Sequence, residues 1–196
     1  IILFTVIFGK IANLPSDGIP YFLFSTVAII PWTYMSEAMA QSSQTPVLGP
    51  DDGRVWNDGW DGYPMARQRL FDALAKSRAA NPIVLAGDVH TFYATDLKAD
   101  FHRPPSASNP VLATEFCGTS ITSSSRPQGR TLQYVDMNPH VKYGRSDKRG
   151  FMLMEVGPAA TRTTFVGLDD VRDPASGASA LATFEVADGR AGAVRT

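Results

Sequence analysis

Apolar and polar positions change rhythm along this chain, and the change divides it. Residues 1–44 carry only Lys10, Asp17 and Glu37 as charges, and their apolar side chains fall mainly in two runs, 1–8 and 21–35. Each run is shorter than the roughly 18–20 residues that one helix needs to cross a bilayer. Pro15, Gly18 and Pro20 break the chain between them. The pattern predicts two short membrane-type segments or a re-entrant hairpin surrounded by protein, with membrane association through residues 1–35; a buried helix and strand of a soluble core is the other reading. No basic stretch precedes the first run, so a signal peptide is not expected. Residues 45–57, punctuated by Pro46, Gly49, Pro50 and Gly53, read as a linker. Residues 58–196 form the remaining unit.

Within that unit the rhythm becomes regular. Ala66, Leu70, Phe71, Leu74 and Ala75 recur at helical spacing while Arg67, Arg69 and Lys76 fall elsewhere, and Pro64 sits where a first helical residue would be. This predicts an amphipathic helix. The run PIVLA, ended by Gly87, predicts a buried strand feeding a loop, and VLATEFC predicts a second such strand. GFMLMEV, TRTTFVGL and LATFEVA alternate apolar and polar residues between turn signals, as antiparallel strands do.

Composition narrows the function classes. With 44% hydrophobic residues the chain can bury a core, and a net charge of −1 disfavours a nucleic-acid-binding module. Cys117 is the single cysteine, which excludes an internal disulfide and a multi-cysteine zinc site.

Candidate chemistry centres on Gly87-Asp88-Val89-His90, directly after PIVLA. Residues two apart in extended chain point the same way, so Asp88 and His90 can converge at a strand end, where open α/β sheets place ligands. One carboxylate and one imidazole supply half a shell for a hard or borderline metal ion. The structural alternative is an Asp88 turn cap with His90 bonded to backbone. A serine hydrolase built from Ser120, His90 and Asp88 lacks the G-x-S-x-G elbow, and the glycine patterns of nucleotide-binding loops are absent. The RSDKR cluster, residues 145–149, reads as a solvated turn, with phosphate steering by Arg145 or Lys148 as the sharper alternative.

Two resemblances add to this. FGKIANLPSDGIPYFLFSTVAIIPWTYMSEAMAQSS resembles part of the membrane domain of ABC-2-type polysaccharide export permeases. WDGYPMARQRL, NPIVLAGDVHTFYATDLKADF, VLATEFCGTSITSS, NPHVKY, RGFMLMEV and ATFEVADGR, in this order, resemble the C-terminal half of the PhoD-like alkaline phosphatase and phosphodiesterase family. The second resemblance implies an α/β fold, the C-terminal half of a metallophosphoesterase-type α/β/β/α sandwich, here preceded by a short hydrophobic helical segment. It implies metal-dependent hydrolysis of phosphate mono- and diesters with iron and calcium, and a periplasmic or extracellular location. Asp88 and His90 match the family's metal ligands. His140 matches a recurrent family histidine, which gives two readings, a residue near the pocket oriented by Asn138 or a loop histidine satisfied by backbone; on the first, these two are the substrate-binding candidates. Trp60, Asp61 and Tyr63 match the family too but fit packing and a helix cap; Thr114, Glu115, Thr119 and Ser120 fit bracing of the site ahead of lining it; His102 fits solvated surface; Cys117 fits a small buried side chain. The family's other metal ligands, a cysteine among them, lie upstream of WDGYP, where this chain has the permease-like segment. An inactive, membrane-associated chimera is therefore the alternative function. Half a sandwich is also expected to leave an inner sheet face uncovered.

Overall fold

The computed structural model describes residues 60–77, 79–101 and 103–196, the Asp61 side chain excepted. The hydrophobic segment 1–44, the linker 45–57, the Asp61 side chain and His102 lie outside the described residues. Among the described residues no helix is long and apolar enough to cross a membrane.

After a 3-10 turn at Trp60–Gly62 come α1 (Pro64–Ser77), β1 (Ile83–Ala86), β2 (Phe92–Lys98), β3 (Val111–Cys117) and α2 (Gln128–Met137). Then follow β4 (Val141–Arg145), β5 (Gly150–Val156), β6 (Ala160–Leu168), β7 (Ala178–Ala187) and β8 (Val194–Arg195). The first sheet has the order β1-β3-β2-β4; β1 runs parallel to β3, and the other pairs are antiparallel. The second sheet is an antiparallel meander, β5-β6-β7-β8.

The sheets face each other across a core of Phe92, Ala94 and Phe116 from the first and Phe165, Ala182, Phe184 and Val186 from the second. Both inner faces thus come from this one chain, which corrects the expected uncovered face: β1–β4 supply one layer and β5–β8 the other. On the outer side of the first sheet, Phe71, Leu70 and Leu74 of α1 pack on Leu97, Ala113 and Val84, while Val135 of α2 packs near Tyr93, Cys117 and Val141. Pro64 opens α1 at a position whose N–H would have no intrahelical partner, as its place in the sequence predicts.

β1 departs from the buried strand expected of it. It lies at the sheet edge with only Ala86 buried and Leu85 39% exposed, because β3 pairs with one of its sides only. At the other end of the first sheet a polar clasp joins the layers. Asp96 receives Lys142 Nζ at 2.7 Å and the Ala193 N–H at 3.3 Å, and Lys142 Nζ also donates to the Ala193 carbonyl at 2.6 Å.

Candidate active site

The loop after β1 is tightly wound rather than extended. Val89 N–H donates to the Gly87 carbonyl at 2.9 Å, which closes a three-residue turn about Asp88. Asp88 has φ 69° and His90 φ 55°, the only non-glycine residues with positive φ among those described. This corrects the extended backbone expected between the two. Left-handed backbone at a residue with a Cβ is costly, by roughly 1–2 kcal/mol each, and persists where surrounding structure enforces it.

That enforcement comes from the loop between β3 and α2. His90 Nδ1 lies 2.9 Å from the Ser124 carbonyl. A carbonyl only accepts, so Nδ1 carries the proton and Nε2 keeps its lone pair for a ligand. Ser125 Oγ meets Thr91 Oγ1 at 3.0 Å, and Thr119 Oγ1 donates to the His90 carbonyl at 2.9 Å. Asp88 is exposed, and its carboxylate has no hydrogen bond or ion pair among the described residues. Arg149 braces the far side of the same loop. Its guanidinium, nearly buried, donates to Ser120 Oγ at 3.0 Å, to the Ser123 carbonyl at 2.6 Å and to the Ser146 carbonyl.

The ground beneath is dry. Burial, and then the charges of Glu115 and Asp88, push the Cys117 thiol up, with Arg126 opposing them. Its sulfur lies against the Gly87 and Gly118 carbonyls at 3.7 and 3.6 Å, so it is a neutral buried side chain rather than a thiolate ligand. Burial likewise pushes the Tyr93 phenol up to about 12.

A family model of PhoD-like phosphatases matches residues 25–165 of the chain. The chain belongs to this family. Alkaline phosphatase D of Bacillus subtilis (strain 168) is 33% identical to it over 130 residues, 65% of this chain and 22% of that protein. A solved structure of PhoD matches it with a TM-score of 0.62 at 31% identity, over 71% of this chain and 26% of that one. The mixed α/β architecture is therefore similar to that of PhoD over the matched part, and the chain spans about a quarter or less of the length of these relatives.

The other residues singled out in this PhoD-like chain are placed elsewhere or serve as braces. His140 and Asn138 are buried at the opposite end of the β2–β4 ladder: Asp96 N–H donates to the His140 carbonyl at 2.9 Å, whereas Phe92, beside the loop, pairs with Arg145. At about 3.3 Å per strand residue, Phe92 and Asp96 alone stand roughly 13 Å apart. The His140 ring packs on Phe101 at 4.5 Å, and Asn138 Nδ2 donates to the Tyr134 carbonyl at 2.8 Å, closing α2. The structure thus does not bring the pair to the Asp88 loop. Thr114 Oγ1 accepts the Gly192 N–H at 3.1 Å, and Glu115 is buried within β3. The Trp60 carbonyl accepts the Tyr63 N–H and the Tyr63 carbonyl those of Ala66 and Arg67 in α1, but Tyr63, expected to pack, is 59% exposed. Of RSDKR, Arg145 pairs with Asp147 at 2.8 Å and Lys148 with Asp169 at 3.5 Å; Ser146 and Arg149 are buried, which corrects the solvated-turn reading. Ser124 was not found from the sequence, since its contribution is a backbone carbonyl.

Proposed function

We propose that this chain carries one wall of a metal-dependent phosphate ester hydrolase, with Asp88 and His90 as metal ligands. The observation that carries this reading is the pair of left-handed residues whose loop leaves the Asp88 carboxylate exposed and fixes His90 through Nδ1. A histidine that donates one ring N–H to a carbonyl is oriented to ligate through the other nitrogen. Two donors fit part of a metal shell. Among the described residues no group of three or more His, Cys, Asp and Glu converges, so in this reading the remaining ligands come from outside them.

Iron and calcium are the ions we assign, on the family resemblance, and phosphate mono- and diesters are the substrates. A bound ion supplies positive charge for the phosphoryl oxygens and acidifies coordinated water. The chain's own part is positional. Ser124 holds the His90 tautomer, Thr119 holds its backbone, and Arg149 keeps their loop in place. A periplasmic or extracellular location accompanies this reading, supported by the same resemblance.

The test is hydrolysis of p-nitrophenyl phosphate by the 196-residue chain supplied with iron(III) and calcium. Asp88→Ala and His90→Ala should each lower turnover by at least about 100-fold with unchanged circular dichroism, as expected for loss of a ligand. Full turnover in either variant overturns the ligand assignment, and an inert wild-type chain overturns its reading as a hydrolase.

A further inference from the structure

Arg126 follows Ser124 by two residues and Ser125 by one, so it leaves the segment that holds His90 and Thr91. Its guanidinium carbon stands 5.1 Å over the Tyr134 ring. That ring is itself fixed, buried in α2 with its hydroxyl accepting Arg130 Nε at 2.9 Å. Pro127 follows at φ −56°, which stiffens the backbone on the other side. A long cationic side chain is therefore held in one place and half-buried.

Apart from that ring, it lacks a hydrogen-bond or ion-pair partner among the described residues. Every neighbouring cation has one: Arg145 binds Asp147, Lys148 faces Asp169, Arg130 binds Tyr134, and Arg149 is taken up by Ser120, Ser123 and Ser146. Arg126 has neither a hydrogen-bond acceptor nor an acid partner among the described residues. A guanidinium presents five donors in a planar fork matched to phosphate oxygens, and holding it on an aromatic face removes much of the entropy lost on binding. Arg126 and Asp88 also both lie near enough to the buried Cys117 thiol to act on it, with opposite sign.

We propose that Arg126 binds the phosphoryl oxygens of the substrate ester, as a phosphate-recognition residue beside the metal ligands. The inference rests on the reading of Asp88 and His90 given above.

Calorimetric titration of the full chain with inorganic phosphate tests it, alongside hydrolysis of p-nitrophenyl phosphate. Arg126→Met keeps an apolar stem over Tyr134 without the charge. It should weaken phosphate binding and raise KM by about tenfold or more, with kcat within about threefold, as expected for a lost charge-assisted contact. Arg126→Lys should recover part of the affinity. Equal phosphate binding by wild type and Arg126→Met overturns this inference while leaving the metal ligands intact. Equal loss in Met and Lys variants with a lowered melting temperature shows a bracing role and also overturns it. Hydrolysis by a wild-type chain that binds no phosphate overturns it alone, and a wild type that neither binds nor hydrolyses overturns both readings.

Discussion

At the scale of single residues, the phenol of Tyr93 reports how dry the layer beneath the candidate site is. Burial raises its pKa to about 12, against 10.0 in its ordinary state. Between these values the unfolded chain loses the proton and the folded chain keeps it. Stability is therefore full below pH 10 and falls as pH rises toward 12, by about 2–3 kcal/mol in all at 1.36 kcal/mol per unit. The Cys117 thiol, also pushed up by burial, adds a loss of the same sign. Urea melts from pH 9 to 12 should show the decline, and Tyr93→Phe should flatten part of it; an unchanged slope in the variant overturns the assignment. Residue types at the candidate site could be singled out beforehand. Asp88 and His90 stood out because a carboxylate and an imidazole followed a strand run. Their left-handed backbone was not legible, because Ser124, Ser125 and Thr119 impose it from a distant stretch of chain. Nor was Arg149, whose charged neighbours disguised a buried brace.

Among the elements, β5 is fixed to β6 by its first residue. Gly150 has φ 154°, and a Cβ there would lie 1.9 Å from the Val166 carbonyl oxygen. Gly150→Ala must displace backbone, and the expected loss is about 3 kcal/mol or more, measured as a fall in the chemical-denaturation midpoint. A loss below about 0.5 kcal/mol, the range of a neutral surface change, contradicts that geometry. The site would feel the shift, since the preceding residue is Arg149. Element recognition followed periodicity. α1, β5, β6 and β7 each have one face turned to the core, and their alternation announced them. β2 is buried along its whole length, between α1 and α2 on one side and the second sheet on the other, so FYATDLK shows no alternation. α2 begins without a side-chain cap and carries Gly129 in its first turn, which removes the usual start signals. β4 contains Gly144 because Val135, Tyr93 and Thr131 occupy the space of a side chain.

In the whole molecule, the two layers are joined through one aromatic side chain more than any other. Phe165 meets Phe92 at 5.0 Å, Tyr143 at 5.6 Å, Phe184 at 5.8 Å and Phe116 at 6.2 Å between ring centroids. Phe165→Ala should cost about 3–5 kcal/mol and lower the melting temperature of both sheets together. Separate transitions for the two sheets would contradict a shared core. The clasp at the other end has a consequence for synthesis. Asp96 is made 97 residues before Ala193, its partner in the second layer. At about 5–20 residues per second, a ribosome leaves that carboxylate waiting for roughly 5–20 s beside a strand whose every residue is destined for the interior. Through that interval the nascent β2 cannot close its core, and it is the stretch on which a chaperone has the longest hold.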